Sequence, residues 1–530
     1  MMGRVQLGRL LCVLSTLLVS IPVFAQFTGS VQGIVEDASQ AGIPKASVRI
    51  ANLDTEVTQT TASDADGNFR FVSLAPGTYR IAVEVSRFTK SEITITLLTD
   101  QNLNVPITLK VGAVSEAMTV SSAAPLVDTA DSRNYQTIEA DELSRLPLPG
   151  RSMIALATLA PGASGLGTMG GGAPGGGGSP GSATDNYSTE TQVDASANGQ
   201  GTMSNIWVVD GLDVTSSIRQ GVLNLTPNPD DIQEAATEVN TFSPEYGRAS
   251  GLQMKMTTKS GTDQFHGLAS DYFYYQPMWA GTEFTKGLAY APFHANNVSA
   301  TIGGPIIPHK QFFFFFSVEP LRELISTGNQ SITYAAQNFI SWSQENYPST
   351  LGTQILSTYL NSGATTTGVS QTAGQIFGCS AGQTDFTVAP GITIQCSLPM
   401  VAQGVFNSTN YRNGTQYFGR VDKYFGHDRI YGSFFRTTLN TSTDNPIPQF
   451  YTTSANWERA FQLNWTHTFS PSMLNAAIFA VNRIQGALDQ IGDFSVPPIT
   501  VTGLTNGYGL PLAQLGFTQF NYHWRDVLTK

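Results

Sequence analysis

Apolar and polar residues alternate with a period of two along much of the C-terminal half of the chain. In residues 461–468, the apolar members are Phe461, Leu463 and Trp465, and the polar members are Gln462, Asn464, Thr466 and Thr468. Val298, Ala300 and Ile302 alternate in the same way with Asn297, Ser299 and Thr301. Because successive side chains of a β-strand point to opposite faces, this pattern predicts long strands with one apolar and one polar face.

Short turns are predicted between neighbouring strands. Residues 417–422 are expected to pair with 430–436 across 426–428, and the turn at 470–472 leads into a returning strand. The apolar members of that strand are Leu474, Ala476, Ile478 and Ala480. Strands of about ten residues, joined alternately by short turns and long loops, are typical of an outer-membrane β-barrel, whose apolar face meets lipid and whose polar face lines the lumen.

A soluble sandwich is the alternative for this region, but its strands would be shorter. We therefore favour the first part of an antiparallel transmembrane barrel for residues 263–530. Tyr274, Tyr275, Trp465 and Phe469 lie near predicted strand ends, where an interfacial aromatic girdle is expected.

The N-terminal part has shorter strands and more frequent turns. Residues 31–36, 46–50 and 81–85 alternate as strands, which predicts a seven-stranded β-sandwich over residues 26–112. The pattern Asp64-x-Asp66-x-Asn68 resembles the start of a calcium loop. An EF-hand needs Gly and Glu where this chain has Phe69 and Ala75, so we interpret the segment as a hairpin turn.

Residues 1–25 have the features of a secretory signal peptide. Arg4 and Arg9 provide positive charge, residues 10–19 are apolar, and Val23-Phe24-Ala25 is a suitable cleavage site. An uncleaved membrane anchor is the weaker alternative. We therefore expect an exported protein.

Composition narrows the class of protein further. Only 13% of the 530 residues are charged, 10% are aromatic, and the formal net charge is −11. These values argue against a disordered chain, a coiled coil and a basic nucleic-acid-binding protein. The six histidines are scattered without metal-ligand spacing, so we expect no catalytic site, metal or cofactor.

Two cysteines remain after the signal peptide. Cys379 and Cys396 lie in a loop rich in Gly, Thr and Ser, and an even number of cysteines in an oxidising compartment predicts a disulfide that closes this loop.

The region between the sandwich and the long strands is mixed. Residues 113–145 form a polar linker, and 146–262 contain a buried strand at 205–211, a short apolar helix candidate at 153–159 and a Gly-rich insert at 162–181. The segment 231–240 fits either a helix or a strand.

Several motifs resemble those of a known family. Asp64-x-Asp66-Gly67-Asn68-Phe69, followed by Pro76-Gly77-x-Tyr79, resembles the carboxypeptidase regulatory-like domain, a prealbumin-like sandwich among the carbohydrate-binding-like folds. Residues 146–151, 208–211, 239–248 and 257–267 resemble the plug of TonB-dependent outer-membrane receptors. Gly303-Gly304-Pro305-Ile306 with Phe312–Phe316 resembles the first barrel hairpin of the Oar-like subgroup.

The resemblance implies a mostly β protein with an N-terminal sandwich, a mixed α/β plug in residues 146–262 and a partial antiparallel transmembrane barrel. Such barrels have about 22 strands. Residues 266–530 can supply only about eight, so we expect an N-terminal part of a longer protein.

By the same resemblance, the protein imports a bulky nutrient, such as a sugar, a peptide or a metal chelate, with energy from the periplasmic TonB complex. TonB would pair with an extended segment called the TonB box, for which the candidate residues are Glu116, Ala117, Met118, Thr119, Val120 and Ser121. An ordinary linker remains the alternative for this segment. The alternative for the whole protein is an adhesin or signalling barrel that binds glycan or protein without import.

Overall fold

The computed structural model contains three groups of strands in chain order, at residues 29–121, 134–258 and 266–529. We call them the sandwich, the plug and the barrel sheet, and the name plug is taken from the sequence resemblance. The structure describes residues 29–112, 118–121, 134–146, 148–165, 186–187, 191–192, 194–240, 242, 247, 250–278, 293–470, 473–485, 490–510 and 518–529. The predicted signal peptide, most of the Gly-rich insert, and Glu116 and Ala117 lie outside the described residues.

The sandwich consists of two sheets. Its strands are β1 Gly29–Asp37, β2 Ser47–Asn52, β3 Thr58–Ala62, β4 Asn68–Leu74, β5 Gly77–Glu84, β6 Ser91–Leu97, β7 Asn102–Asn104, β8 Ile107–Leu109 and β9 Met118–Ser121. One sheet has the order β4-β1-β7, with β8 also on β1, and the other has the order β3-β2-β5-β6-β9. Alternate apolar residues, among them Val31, Ile50, Phe71 and Ile81, fill the space between the sheets.

Two local features refine the sequence interpretation of the sandwich. Strands β7 and β8, which both pair with β1, are separated by Val105 and Pro106, and proline has no backbone N–H for a β-ladder. In the turn before β4, Oδ1 of Asp64 accepts hydrogen bonds from the backbone N–H groups of Asp66 and Asn68. The carboxylate of Asp64 thus stabilises a tight turn, and Gly67 supplies its positive φ of 87°. The turn is present as predicted, but it is not a hairpin, because β3 and β4 belong to different sheets.

The plug is built on a five-stranded sheet with the order β10-β17-β18-β14-β15. Its strands are β10 Asn134–Glu139, β11 Ala163–Ser164, β12 Thr191–Gln192, β13 Ser196–Ala197, β14 Ile206–Val209, β15 Leu212–Asp213, β16 Val222–Leu223, β17 Ile232–Asn240 and β18 Gln253–Thr258. The helix α1 spans Ala140–Arg145, and 3-10 helices span Pro149–Arg151, Met153–Leu159, Thr202–Ser204 and Pro229–Asp231. The ambiguous segment 231–240 is therefore mainly a strand, and it pairs with β10 on one side and β18 on the other.

The barrel sheet is antiparallel and has the order β19-β20-β21-β25-β26-β27-β28-β30, with β22 on β25 and β29 on β27. The strands of this region are β19 His266–Tyr275, β20 Phe293–Ile307, β21 Phe312–Ala335, β22 Thr365–Thr372, β23 Asp385–Ala389, β24 Ile392–Gln395, β25 Pro399–Phe425, β26 Asp428–Thr443, β27 Thr452–Ser470, β28 Met473–Gln485, β29 Gln490–Ile491 and β30 Thr518–Thr529. The predicted pairing of 417–422 with 430–436 is confirmed, with Phe425 opposite Asp428 at the turn.

Connections at the two ends of the barrel sheet differ in length. At one end, which we call the short-turn end, β20 is joined to β21, β25 to β26 and β27 to β28 by two to four residues. At the opposite, long-loop end, residues 336–398 between β21 and β25 form an insert with α2 Gln337–Asn346, α3 Leu351–Thr358, α4 Ala373–Phe377 and the hairpin β23–β24. Further 3-10 helices at this end span Gln276–Met278 and Pro448–Phe450. None of the described helices is long and apolar enough to cross a membrane.

The two faces of the barrel sheet follow the predicted alternation on β27. Phe461, Leu463 and Trp465 are exposed on the outer face, with Leu463 43% exposed, whereas Gln462 is only 4% exposed on the inner face. The prediction for these residues is confirmed. On β20, Val298 and Ile302 are likewise exposed, and Asn297 and Ser299 are buried.

The expectation of an outward apolar face is wrong for β28. Leu474, Ala476, Ile478 and Ala480 are all buried on the inner face, and Phe479 is exposed on the outer face. Ala480 and Ala460 belong to the same hydrophobic cluster as the plug core. Ala480 is apolar and faces inward because it packs against the plug core rather than against water.

The prediction that Tyr274 belongs to the interfacial aromatic girdle is also wrong. On β19, Phe273 and Tyr275 are exposed on the outer face, while Tyr272 and Tyr274 occupy the alternate positions. The Tyr272 ring lies 3.8 Å below the guanidinium carbon of Arg151 in the plug. Tyr274 therefore shares the inner face, whereas Tyr275, Trp465 and Phe469 are exposed as expected.

Candidate functional site: the plug and its interfaces

A buried ionic network joins the first part of the plug to the barrel sheet. Arg151 donates from Nε to Oε1 of Glu319 on β21 at 2.9 Å, and from Nη2 to Oδ2 of Asp230 at 2.8 Å. The Nη2 group also donates to Oδ1 of Asn228 at 2.7 Å. Arg151 has a positive φ of 55° next to Gly150, so this turn directs a charged side chain into the interface.

Other plug residues complete the surroundings of Glu319. Asn186 donates from Nδ2 to Oε2 of Glu319 at 3.2 Å, and the Tyr187 hydroxyl donates to the Glu319 carbonyl at 2.9 Å. Tyr187 is fully buried against Leu321 and Leu439. Glu319 thus contacts three separate plug residues, and its carboxylate is paired as a buried charge requires.

A second buried network lies on the next strand of the barrel sheet. Arg420 on β25 donates from Nη1 to Oδ2 of Asp210 at 3.3 Å and to Oγ1 of Thr258 at 2.8 Å. The same guanidinium makes a two-point contact with Asp422, at 2.8 and 3.0 Å. Asp210 also accepts from the backbone N–H and the hydroxyl of Thr258, at 2.9 and 2.5 Å.

Uncharged contacts extend this interface across β26, β27 and β30. The carbonyl of Asp210 accepts from Nε2 of Gln462 at 2.7 Å and from the Tyr431 hydroxyl at 3.2 Å. On β30, Oε1 of Gln519 accepts from the Ser216 hydroxyl at 3.3 Å. The polar inner face of the barrel sheet is therefore used to bind the plug rather than left to solvent.

The sandwich also contacts the plug through buried polar groups. Lys255 on β18 is 1% exposed, and its Nζ donates to Asp100 of the sandwich at 2.7 Å and to Glu238 of β17 at 2.8 Å. The backbone N–H of Thr99 donates to Oε1 of Glu234 at 2.6 Å, and burial raises the pKa of the Glu234 carboxyl to about 7. The hydroxyls of Thr99 and Thr257 are 2.8 Å apart.

A polar cavity of about 550 Å³ lies between the sandwich, the plug and the short-turn end of the barrel sheet. Its walls include Asn52 and Asp54 from the sandwich, Asp210 from the plug, and Arg429 and Asn464 from the barrel sheet. The backbone N–H of Asp263 donates to the carbonyl of Asp54 at 3.0 Å. The sandwich therefore sits at the short-turn end, next to the inner face of the barrel sheet.

The described part of the candidate TonB box is extended, as expected. Met118, Thr119, Val120 and Ser121 form β9, which pairs in parallel with β6, so that Val120 lies opposite Ile93. Within the described residues, β9 is the terminal strand of its sheet. A further strand could therefore add to this sheet along the edge of β9 that does not face β6.

Cys379 and Cys396 form a disulfide in the structure, as the sequence predicted. Cys379 follows α4 and Cys396 follows β24, so the bond joins two elements of the insert at the long-loop end. This end of the barrel sheet is opposite the sandwich.

Sequence reasoning identified only one side of each ionic network. Arg151 and Asp210 lie in motifs quoted for the plug, but their partners Glu319, Arg420 and Asp422 were not singled out. A signal was present, since the alternation predicted which positions face inward, and a charge that becomes buried there needs a partner. Glu319, Arg420 and Asp422 each occupy such a position.

Comparison with known proteins supports this architecture. Residues 257–527, just over half of the chain, match the family described as outer membrane beta barrel domain. Residues 30–110 match the carboxypeptidase regulatory-like domain.

One curated relative is the TonB-dependent transporter Oar of Myxococcus xanthus, which is 29% identical over 322 residues. The match covers 56% of this chain and 27% of the relative, so the chain spans about a quarter of that protein's length.

Solved structures with lower similarity include the outer membrane transporter YddB from Escherichia coli, with a TM-score of 0.43, 10% identity, and coverage of 74% of this chain and 45% of that chain. A mutant ferric enterobactin receptor from Pseudomonas aeruginosa in complex with enterobactin has a TM-score of 0.33, 10% identity, and coverage of 74% and 55%. Both scores are under 0.5, so the assignment depends on the matched domains. The chain belongs to the outer membrane β-barrel family and carries an N-terminal carboxypeptidase regulatory-like domain.

Proposed function

We propose that this protein is a TonB-dependent outer-membrane transporter that imports a bulky nutrient, and that it is not an enzyme. The observation that carries the proposal is the packing of the plug against the polar inner face of the barrel sheet through two buried ionic networks. A plug held in this way obstructs the lumen, so transport requires work to move it. The similarity to the transporter Oar supports the same function.

The proposal includes an arrangement of regions along the chain. A signal peptide of residues 1–25 precedes the sandwich at 26–112, a linker with the TonB box at 113–145, the plug at 146–262 and the barrel at 263–530. Short turns are periplasmic in outer-membrane barrels, so the sandwich lies in the periplasm and the insert faces the exterior. The outward apolar residues, such as Leu463, then contact lipid.

Strand addition is the proposed means of coupling to TonB. β9 is backed by β6 and presents its second edge, so a strand of TonB can add there through main-chain hydrogen bonds. Main-chain pairing resists pulling regardless of side-chain identity.

The test is a disulfide cross-link in intact cells between Val120→Cys and a cysteine scanned through the C-terminal region of TonB. We expect a cross-link in a protein that fractionates with the outer membrane, and in a separate variant we expect TonB-dependent uptake to be lost when residues 118–121 are deleted. Recovery of the protein as a soluble periplasmic species would overturn the proposal. Ligand binding to cells without TonB-dependent accumulation would instead favour an adhesin or signalling receptor.

A further inference from the structure

The insert at the long-loop end contains a polar groove that is separate from the plug interfaces. It has a volume of about 540 Å³ and lies between α2 and the hairpin β23–β24. From α2, the residues Asn338, Ser341, Trp342 and Glu345 line one wall, and Asp385 and Gln395 line the hairpin side. Their spacing on α2 places them on one face of the helix.

The two walls of the groove are held together by direct contacts. The indole Nε1–H of Trp342 donates to the carbonyl of Thr393 on β24 at 3.2 Å. The ring of Phe339 stacks near that of Trp342, with centroids 6.1 Å apart and planes inclined by 17°. These contacts fix the orientation of the indole before any ligand arrives.

The hairpin is anchored on its far side as well. The disulfide between Cys379 and Cys396 ties the end of β24 to α4, and the backbone N–H of Gly374 donates to the Cys396 carbonyl at 2.8 Å. The backbone N–H of Cys396 donates to the Thr384 carbonyl at 2.8 Å. A groove with fixed walls loses little conformational entropy on binding.

The lining is rich in amide, hydroxyl and carboxylate groups around one large aromatic ring. Asn338 and Gln395 offer both donors and acceptors, and Glu345 and Asp385 offer acceptors. Among the residues that the structure describes, no Lys, Arg or His lines the groove. An anionic ligand is therefore disfavoured, and the small apolar contribution, from Trp342 and Leu398, gives an apolar peptide side chain few places to bind.

We propose that this groove binds a neutral oligosaccharide. Sugar hydroxyls pair with planar amides and carboxylates, and the apolar C–H face of a sugar ring packs on an aromatic ring such as Trp342. This proposal rests on the proposed function, because it names the chemical class of the nutrient that the transporter captures at the cell exterior. Because binding of the oligosaccharide does not require TonB, it is measured separately from the cross-link to TonB.

The experiment uses the full chain in detergent micelles and a panel of probes. The neutral probes are maltohexaose, cellohexaose, laminarihexaose, xylohexaose and mannohexaose, and the anionic probe is an oligogalacturonate of similar length. We expect at least one neutral hexasaccharide to bind in isothermal titration calorimetry, and the oligogalacturonate to bind at least tenfold more weakly. Failure of all five neutral probes, or preference for the anionic one, would overturn the proposal.

A matched pair of variants locates the binding site. Ser341→Arg fills the groove from an exposed position, and Gln344→Arg adds the same charge and volume at an exposed position of α2 outside the lining. We expect Ser341→Arg to weaken binding at least tenfold and Gln344→Arg to leave it unchanged. Equal binding by both variants would place the sugar elsewhere and exclude the groove, whereas the TonB cross-link is unaffected by either result.

Discussion

Nε of Arg151 in the plug is 2.9 Å from Oε1 of Glu319 on β21, and both side chains are buried. Asp230 shares the same guanidinium, so one cation serves two carboxylates. Loss of either partner leaves a buried charge without compensation, which is more costly than the pair itself is stabilising. Substitution of one member of this network is therefore expected to destabilise the packing of the plug against the barrel sheet.

We expect Arg151→Ala to lower the free energy of unfolding by about 3–5 kcal/mol, because Asp230 and Glu319 are left as buried neighbours of like charge. Urea unfolding in detergent micelles measures this change. Arg145→Ala is the matched control, since Arg145 forms only an exposed ion pair with Asp141 and should cost less than about 1 kcal/mol. Equal effects of the two substitutions would contradict a special role for Arg151.

Cysteines introduced at the contact between the sandwich and the plug should form a disulfide bond. The hydroxyls of Thr99 and Thr257 are 2.8 Å apart, so Thr99→Cys with Thr257→Cys is expected to form a cross-link on mild oxidation. If the sandwich moves during transport, the oxidised protein will lose uptake and regain it with reductant. The two single variants control for the substitutions, and a double variant that stays fully reduced would refute the contact.

Glu234 should give the plug a pH-dependent stability. Burial raises the pKa of its carboxyl from 4.5 to about 7, so between these pH values the folded protein binds more protons than the unfolded chain. The free energy of unfolding contributed by this group therefore falls as the pH rises through this window. Glu234→Gln should make the pH dependence shallower by roughly 1–3 kcal/mol between pH 5 and 8, as measured by thermal unfolding at each pH. An unchanged slope would show that Glu234 ionises normally.

Spin labels on β27 should report opposite environments at adjacent positions. A nitroxide at Leu463→Cys is expected to be accessible to oxygen dissolved in lipid, because Leu463 is exposed on the outer face. A nitroxide at Asn464→Cys should be accessible to a polar nickel reagent, because Asn464 lines the cavity next to the sandwich. Equal accessibility at both positions would contradict the assignment of faces.

Breaking the disulfide should affect the insert alone. Cys396→Ser opens a link between positions 17 residues apart, for which the typical cost is about 2–4 kcal/mol of local stability. We expect faster proteolysis within residues 373–398 and no change in the unfolding of the plug. Loss of plug stability in the same variant would argue that the insert and plug are coupled.

The alternation of apolar and polar residues predicted the exposed and buried faces of a strand correctly where each face meets a single kind of environment. β27 fits this condition, since its outer residues Phe461 and Leu463 are exposed and Gln462 is buried against the plug. β28 does not, because its inner residue Ala480 packs into the apolar core of the plug instead of facing water. A period of two identifies the two faces of a strand, but it does not show which of them is covered by another domain.

Long-range pairs were beyond sequence reasoning for a related reason. Arg420 lies 210 positions from Asp210, and Glu319 lies 168 positions from Arg151. Local patterns correctly indicated strands at these positions, but a partner that distant is determined by how the plug packs against the sheet. The motif at Arg151 marked the plug side, and the inward charge at Glu319 was the overlooked counterpart.

The buried ammonium of Lys255, shared between Asp100 and Glu238, has a consequence for the evolutionary history of the chain. Part of the negative charge around this ammonium is supplied by the sandwich, at Asp100. A sandwich taken from another receptor would therefore not fit Lys255 in the same way unless it also carried an acidic residue at this position. The sandwich and the plug are consequently expected to be inherited together. Recombination between relatives should be better tolerated before Asp100 or after Lys255 than at a point between these two residues.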